Sequence, residues 1–243
     1  MRRVMLIDVG NRSVKAVLVR SGEFDTRWSF DTSKDPKGAV AGLLEAEPEE
    51  IAYSSVVPVW TSVLRSITQK GWTGRMLEAG SGSDLPFGLS VEEPAGIGSD
   101  RLCAALGAWA EGSREAVIVD AGTAVTVDLL SDGSFQGGSI FPGYRLLAGS
   151  LHGGTALLPL IDSGEERVEL PGRKTIDAMR SGIFWGFIGA VRELVSRMLP
   201  PGGDLWVTGG GGRILSPYLG NKARFEGDLV LKGLLRLLEP DER

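Results

Sequence analysis

The chain has 243 residues, 35 of them glycine, with a formal charge of −5 and a pI near 5.1. That length can bury a sizeable core in one large domain or in two of roughly 100–150 residues. The acidic balance, with no Lys/Arg run longer than Arg2-Arg3, argues against a nucleic-acid partner, and a single Cys103 and a single His152 exclude an internal disulfide and a Cys/His zinc site.

Nothing approaches the ~18 apolar residues of a membrane span, so no membrane association is expected. The apolar stretch after Arg2-Arg3 is cut by Asp8 after four residues, too short for a secretion signal. A reducing cytoplasm is the simplest location. So many glycines imply many tight turns and close backbone approaches.

In chain order, 3–9 and 14–20 read as an antiparallel pair around Asp8-Val9-Gly10-Asn11, with a third strand over 23–30. Val40, Leu43 and Leu44 fall on one face of a helix over 37–47. A buried strand over 51–57 follows, then Pro58 opens an amphipathic helix over 59–70, and 76–79 reads as a short strand. This β-β-β-α-β-α-β order is that of a ribonuclease H-like half. Residues 81–98, rich in Gly, Ser and Pro, read as a loop suited to substrate contacts, and 100–111 as a helix with Leu102, Cys103, Leu106 and Trp109 inward.

From about 113 the pattern restarts. An apolar strand over 116–119 runs into Asp120-Ala121-Gly122-Thr123, a strand returns over 125–130, and a third spans 134–141. A helix over 144–151, a polar connection over 162–173 and a long helix from Thr175 to about 199 come next, the last stopped by Pro200-Pro201-Gly202-Gly203. A buried strand over 204–207 breaks at Thr208 and four glycines, and a closing amphipathic helix covers 229–238. The reading is α/β: two ribonuclease H-like halves, 1–112 and 113–243, whose Asp-x-Gly turns face a shared nucleotide cleft.

A strand ending in a carboxylate and turning on glycine aims backbone N–H groups and hydroxyls at one point, which suits a phosphate held with a cation. Asp8 to Lys15 offers a Gly turn, a lysine and a carboxylate for Mg²⁺, the equipment phosphoryl transfer requires. A plain β-hairpin with Asn11 and Gly10 in the left-handed region is the alternative. Gly98-Ser99-Asp100-Arg101 at a helix mouth is either an N-cap with a solvated Arg, or a base that accepts a hydroxyl proton beside a guanidinium clamp. Thr175 reads as an N-cap whose helix start also suits a carboxylate. The ridge Ala178, Gly182, Gly186, Ala190 suits close helix packing, within the chain or across a dimer seam. The run 209–212 is a flexible turn or a rest for adenine or ribose, and Cys103 reads as core.

Taken together these residues resemble the type III pantothenate kinases: Asp8-Val9-Gly10-Asn11 with Lys15; Ser55-Val56-Val57-Pro58; Pro94 ahead of Gly98–Arg101; Asp120 to Ala124 with Thr126 and Asp128; Gly137 to Gly143; Thr155 to Pro159; Thr175, Gly182 and Gly186; and Thr208-Gly209-Gly210. The resemblance implies the actin-like ATPase superfamily of acetate and sugar kinases, and transfer of the γ-phosphoryl of ATP to the primary hydroxyl of pantothenate, the first step toward coenzyme A. It implies that Asp8, Val9, Gly10, Asn11, Arg12, Ser13, Val14 and Lys15 line the ATP phosphates and that Thr123 touches ATP. Asp100 would be the catalytic base, Gly98, Ser99, Asp100, Arg101 and Thr175 would bind pantothenate, and Asp120 would hold potassium or ammonium. A homodimer would complete the pantothenate site near its interface. Arg12 stands where the family often has Thr, and Val91 where it commonly has Tyr. A non-catalytic regulator on the same scaffold, or a kinase for another small alcohol, are the rival readings.

Overall fold

The computed structural model describes residues 2–69, 71–161 and 168–239. Lys70, at the end of the expected second helix, and 162–167, in the expected polar connection, lie outside them. By contacts the chain divides into Met1–Gly112 with Asp228–Arg243, and Ser113–Gly227.

The first unit contains β1 (Arg3–Val9), β2 (Ser13–Arg20), β3 (Glu23–Asp31), α1 (Pro36–Leu44), β4 (Glu50–Ser55), α2 (Pro58–Gln69), β5 (Arg75–Glu78), the two-residue β6 (Gly88–Leu89) and α3 (Ser99–Ala110). Asp35 caps α1 by accepting from the amides of Lys37 and Gly38, with Pro36 pre-set at the first helical position. Five strands run in the order β3-β2-β1-β4-β5. β1 pairs antiparallel with β2 and parallel with β4, so it is the central strand, buried at Val4 to Ile7 and at Val9. Met5, Ile7, Val14, Ala16, Leu18, Tyr53, Trp60 and Leu64 pack into one core on this sheet.

The second unit contains β7 (Ala116–Ala121), β8 (Ala124–Ser131), β9 (Ser134–Pro142), α4 (Tyr144–Gly153), α5 (Thr175–Met198), β10 (Asp204–Thr208), the single-turn α6 (Gly212–Leu215) and β11 (Ala223–Phe225). Its strands follow the order β11-β10-β7-β8-β9, again with the first strand antiparallel to the second and parallel to the fourth. The two units share finer features. Each second-to-third-strand hairpin turns on two residues with positive φ, Ser21-Gly22 and Asp132-Gly133, the geometry of a type I′ turn. Each of those hairpins also carries a register shift, at Leu18/Val19 and at Leu129/Leu130.

One boundary differs from the expectation. The closing helix α7 (Leu229–Leu238) belongs to the first unit, not to a half running from 113 to 243. Nearly all of its faces are buried, including Leu229, Leu231, Leu234 and Leu238, because it lies directly on α3. A Cβ at Gly107 would collide with the Leu229 carbonyl, and one at Gly233 with the Cys103 carbonyl, so glycine lets the two helices touch backbone to backbone. β11 and α6 were not expected either: three residues of strand carry too little alternation to read.

Gly107→Ala or Gly233→Ala should therefore lower unfolding free energy in urea by about 1–3 kcal/mol or more through overpacking. Gly42→Ala, in α1 where nothing lies within 4 Å, should instead raise it by about 0.5–1 kcal/mol.

Candidate active site

Asp8 is the next-to-last residue of β1, opposite Lys15 on β2 and Ser54 on β4, so the register gathers a carboxylate, an ammonium and a hydroxyl at the carboxyl end of the parallel pair. The turn 10–12 closes with the Gly10 amide donating to the Ser13 carbonyl at 3.0 Å. Neither Gly10 nor Asn11 has a positive φ, which rules out the ordinary left-handed hairpin as the reason for these residues. A Cβ at Gly10 would meet only the Ser13 carbonyl oxygen, at an ordinary 3.4 Å. Packing within the turn does not demand glycine there, which leaves close approach of something else. Asn11, Arg12 and Ser13 are exposed, Asp8 and Lys15 half-buried, and Val9 and Val14 buried.

Asp100 is the second residue of α3, and the N-cap is Gly98, whose missing side chain leaves the helix mouth open. The Asp100 carboxylate folds back over that mouth: its Oδ1 accepts the Arg101 amide at 2.9 Å, and a Cβ on Gly98 would come within 2.5 Å of it. Burial raises its proton affinity above the usual carboxylate range, with the Arg101 amide and guanidinium opposing the rise. Neither Asp100 nor Arg101 is exposed, so a solvated Arg behind a plain cap does not describe the pair. Below them Cys103 is fully buried, its thiol pushed up by burial and then by the charges of Asp8 and Asp100. The first turn and the α3 mouth meet through Ser99, next to Asp100, whose hydroxyl lies 2.9 Å from that of Ser54, the cross-strand neighbour of Asp8.

Buried Ser99 ties that mouth to the sheet. Its hydroxyl lies 2.9 Å from the Ser54 hydroxyl and accepts the Ser55 amide at 3.1 Å. A cavity of about 930 Å³ opens here, lined among others by Ser55, Val56, Arg65, Glu78, Gly98 and Ser99. Arg65 grips Glu78 through two hydrogen bonds of 2.6 Å, and the Tyr53 hydroxyl donates to the same carboxylate at 2.6 Å. The arginine holds Glu78 below the usual range, and burial pushes the Tyr53 phenol up. Sequence reasoning missed this wall, since Arg65 and Glu78 sit in unremarkable amphipathic positions. The 81–98 loop is pinned where buried Phe87 meets Trp109 of α3, ring centroids 5.5 Å apart.

In the second unit Asp120 stands opposite Thr126 on β8 and Thr208 on β10. The Thr126 hydroxyl is buried without a hydrogen-bond partner, an unsatisfied oxygen on the residue opposite Asp120. No cluster of three or more His, Cys, Asp or Glu able to hold a metal occurs among the described residues. The glycine run has internal reasons. Gly209 has φ +80° and would collide with the Asp120 carboxylate if it carried a Cβ; Gly211 donates to the Ala121 carbonyl at 2.8 Å; Gly212 packs on Phe225. Only Gly210 in that run faces open space. Thr123 is half-buried, and its carbonyl accepts the Gly143 amide at 2.9 Å.

Thr175 is exposed and is the first helical residue of α5; the N-cap is Lys174, in extended conformation, so the expected Thr175 cap is not formed. The small-residue ridge is not core: Ala178, Gly182, Gly186 and Ala190 are all exposed, while Met179, Ile183, Phe184, Phe187 and Val191 face inward. No helix among the described residues is long and apolar enough to cross a membrane.

Two sheets of order 3-2-1-4-5, each with an acidic turn after its first strand, define the actin-like ATPase fold of sugar kinases. A glucokinase from an Antarctic psychrotroph superposes with a TM-score of 0.53 at 11% identity over 98% of this chain and 99% of its own. A Campylobacter jejuni protein described as a candidate Baf family transcriptional activator does so at 0.64 and 20%, over 97% of both chains. The sequence narrows the class further. Residues 4–197 match the family model of type III pantothenate kinase, and a type III pantothenate kinase of Alkalilimnicola ehrlichii is 35% identical over 96% of both chains. The chain belongs to the type III pantothenate kinase family.

Because the folded state binds the Asp100 proton more tightly than the unfolded chain does, stability falls as pH rises through the unfolded value of about 3.9 and on through the raised folded one. Asp100→Asn keeps the Arg101 contact and should melt higher than wild type at pH 7, with the gap closing as pH falls below about 4. Gly98→Ala should displace the carboxylate and lower kcat with little change in melting temperature.

Proposed function

We propose that this chain transfers the γ-phosphoryl of ATP to the primary hydroxyl of pantothenate, giving 4′-phosphopantothenate. The observation that carries this reading is Asp100, a carboxylate kept in a desolvated helix mouth beside the cavity, in a chain of the pantothenate kinase family. In this reading the backbone of 8–15 and the Lys15 ammonium hold the ATP phosphates and Thr123 contacts the nucleotide. Gly98, Ser99, Arg101 and Thr175 orient pantothenate, and one Asp100 oxygen accepts the hydroxyl proton as the new O–P bond forms. A loose transition state asks for that proton late, so a carboxylate suffices as base.

Mg²⁺ keeps most of its waters and takes one or two carboxylates with substrate phosphates, a role Asp8 fits at the end of β1. Potassium or ammonium at Asp120, with the Thr126 hydroxyl as a further ligand, would offset phosphate charge. A homodimer is supported by the exposed ridge of α5 and by exposed Leu157, Leu160 and Ile176 in the same unit. The lone buried thiol and the use of ATP and pantothenate fit a cytoplasmic enzyme.

The test is a coupled assay with ATP and pantothenate, with and without potassium. Turnover that rises with potassium is expected; ATP binding without turnover under either condition would make the protein a regulator, and turnover on other alcohols alone would reassign the acceptor. Asp100→Asn should cut kcat about 10²–10⁴-fold while nucleotide still binds. Asp120→Ala should leave a basal rate that potassium no longer raises.

A further inference from the structure

Thr32, the first residue after β3, joins three parts of the first unit. Its amide donates to the Arg12 carbonyl at 2.9 Å and its hydroxyl to the Gly10 carbonyl at 2.9 Å, so both ends of the 10–12 turn hang on one residue. Its own carbonyl accepts the indole N–H of Trp60 at 2.9 Å, and Trp60 is wholly buried in α2. The second unit uses the same place: Gly143, the first residue after β9, donates to the carbonyl of Thr123, the last turn residue before β8, as Arg12 is the last before β2. The first unit adds a hydroxyl and an indole to that shared bond.

The turn needs such support. Its own closure is one amide bond, Gly10 to Ser13, and Asn11 and Arg12 are exposed. Backbone N–H groups stabilise a phosphate well only when they are already aimed before it arrives, since reorganisation at the moment of reaction costs rate. Fixing the carbonyls of Gly10 and Arg12 fixes the two peptide planes that follow them, and with them the amides of Asn11 and Ser13.

We propose that Thr32, backed by Trp60, is the positioning residue of the phosphate-binding turn, acting on ATP through the backbone of 10–12. This rests on the assignment of 8–15 to ATP. Thr32 is the cleaner handle of the two, because Trp60 also seats α2, whose Thr61 hydroxyl donates to Ser55 at the cavity at 2.8 Å.

Thr32→Val keeps the shape and the amide and removes only the hydroxyl; Thr32→Ser keeps the hydroxyl. The Val variant should raise KM for ATP about fivefold, with KM for pantothenate unchanged and a melting temperature lower by no more than about 2–4 °C, the share of one hydrogen bond, and the Ser variant should restore the wild-type values. Calorimetry should show ATP bound more weakly and adenosine bound as before, and Trp60→Phe should move ATP affinity in the same direction. A wild-type KM for ATP in Thr32→Val, equal weakening of adenosine, or a loss that tracks melting temperature in both variants overturns the proposal. Lys15→Ala separates the two levels. If it leaves ATP binding intact, the turn is not the phosphate site and both readings fall; if it weakens ATP while Thr32→Val does not, only the positioning role falls.

Discussion

The first unit holds a carboxylate where little water reaches it. Desolvation works against Asp100, and what opposes it is local: one amide at 2.9 Å, the neighbouring guanidinium, and the positive end of a twelve-residue helix. Gly98 makes the arrangement possible, because a capping side chain would occupy the space the carboxylate takes. The site and the fold share that constraint. The Ser99 hydroxyl that locks the helix mouth reaches the end of β4, and β4 is the parallel neighbour of the strand that carries Asp8.

The second constraint is duplication. Each unit carries the same strand order, a type I′ hairpin between its second and third strands, a register shift in that hairpin, and an amide after the third strand donating into the acidic turn. The turns then diverge. The first is one residue longer and offers lysine, with glycine that its own packing does not require; the second is shorter and offers threonines, with Gly209 pressed against Asp120. Equal scaffolds thus carry turns of unequal contents.

Much of this was legible in the sequence. Buried strands of four or more apolar residues, Pro58 at a helix start and Pro200-Pro201 at a helix end are strong local signals, and the elements they mark lie where the residues indicate. The αL pairs were harder: Ser21-Gly22 and Asp132-Gly133 carry the positive φ that had been considered for Gly10 and Asn11. The home of α7 could not be read, because its partner is fixed by glycines 107 and 233 meeting backbone across more than a hundred residues. The same holds for Thr32 and Trp60, whose role lies in bonds to main-chain atoms that no side-chain pattern announces. The glycine run at 209–212 was legible as special, but not the internal packing that three of its members serve.

The energetic cost of the site bears on the rival regulator. The likeness to the Campylobacter protein, at 20% identity, concerns fold alone. A scaffold kept only for regulation has no use for a carboxylate whose burial costs stability at neutral pH, nor for a second acidic turn beside an orphaned hydroxyl. A feature that costs stability is tolerated where activity needs it, which is the usual trade-off between the two. A desolvated Asp100 over a glycine cap, together with Lys15 opposite Asp8, fits the phosphotransferase reading better than the regulatory one.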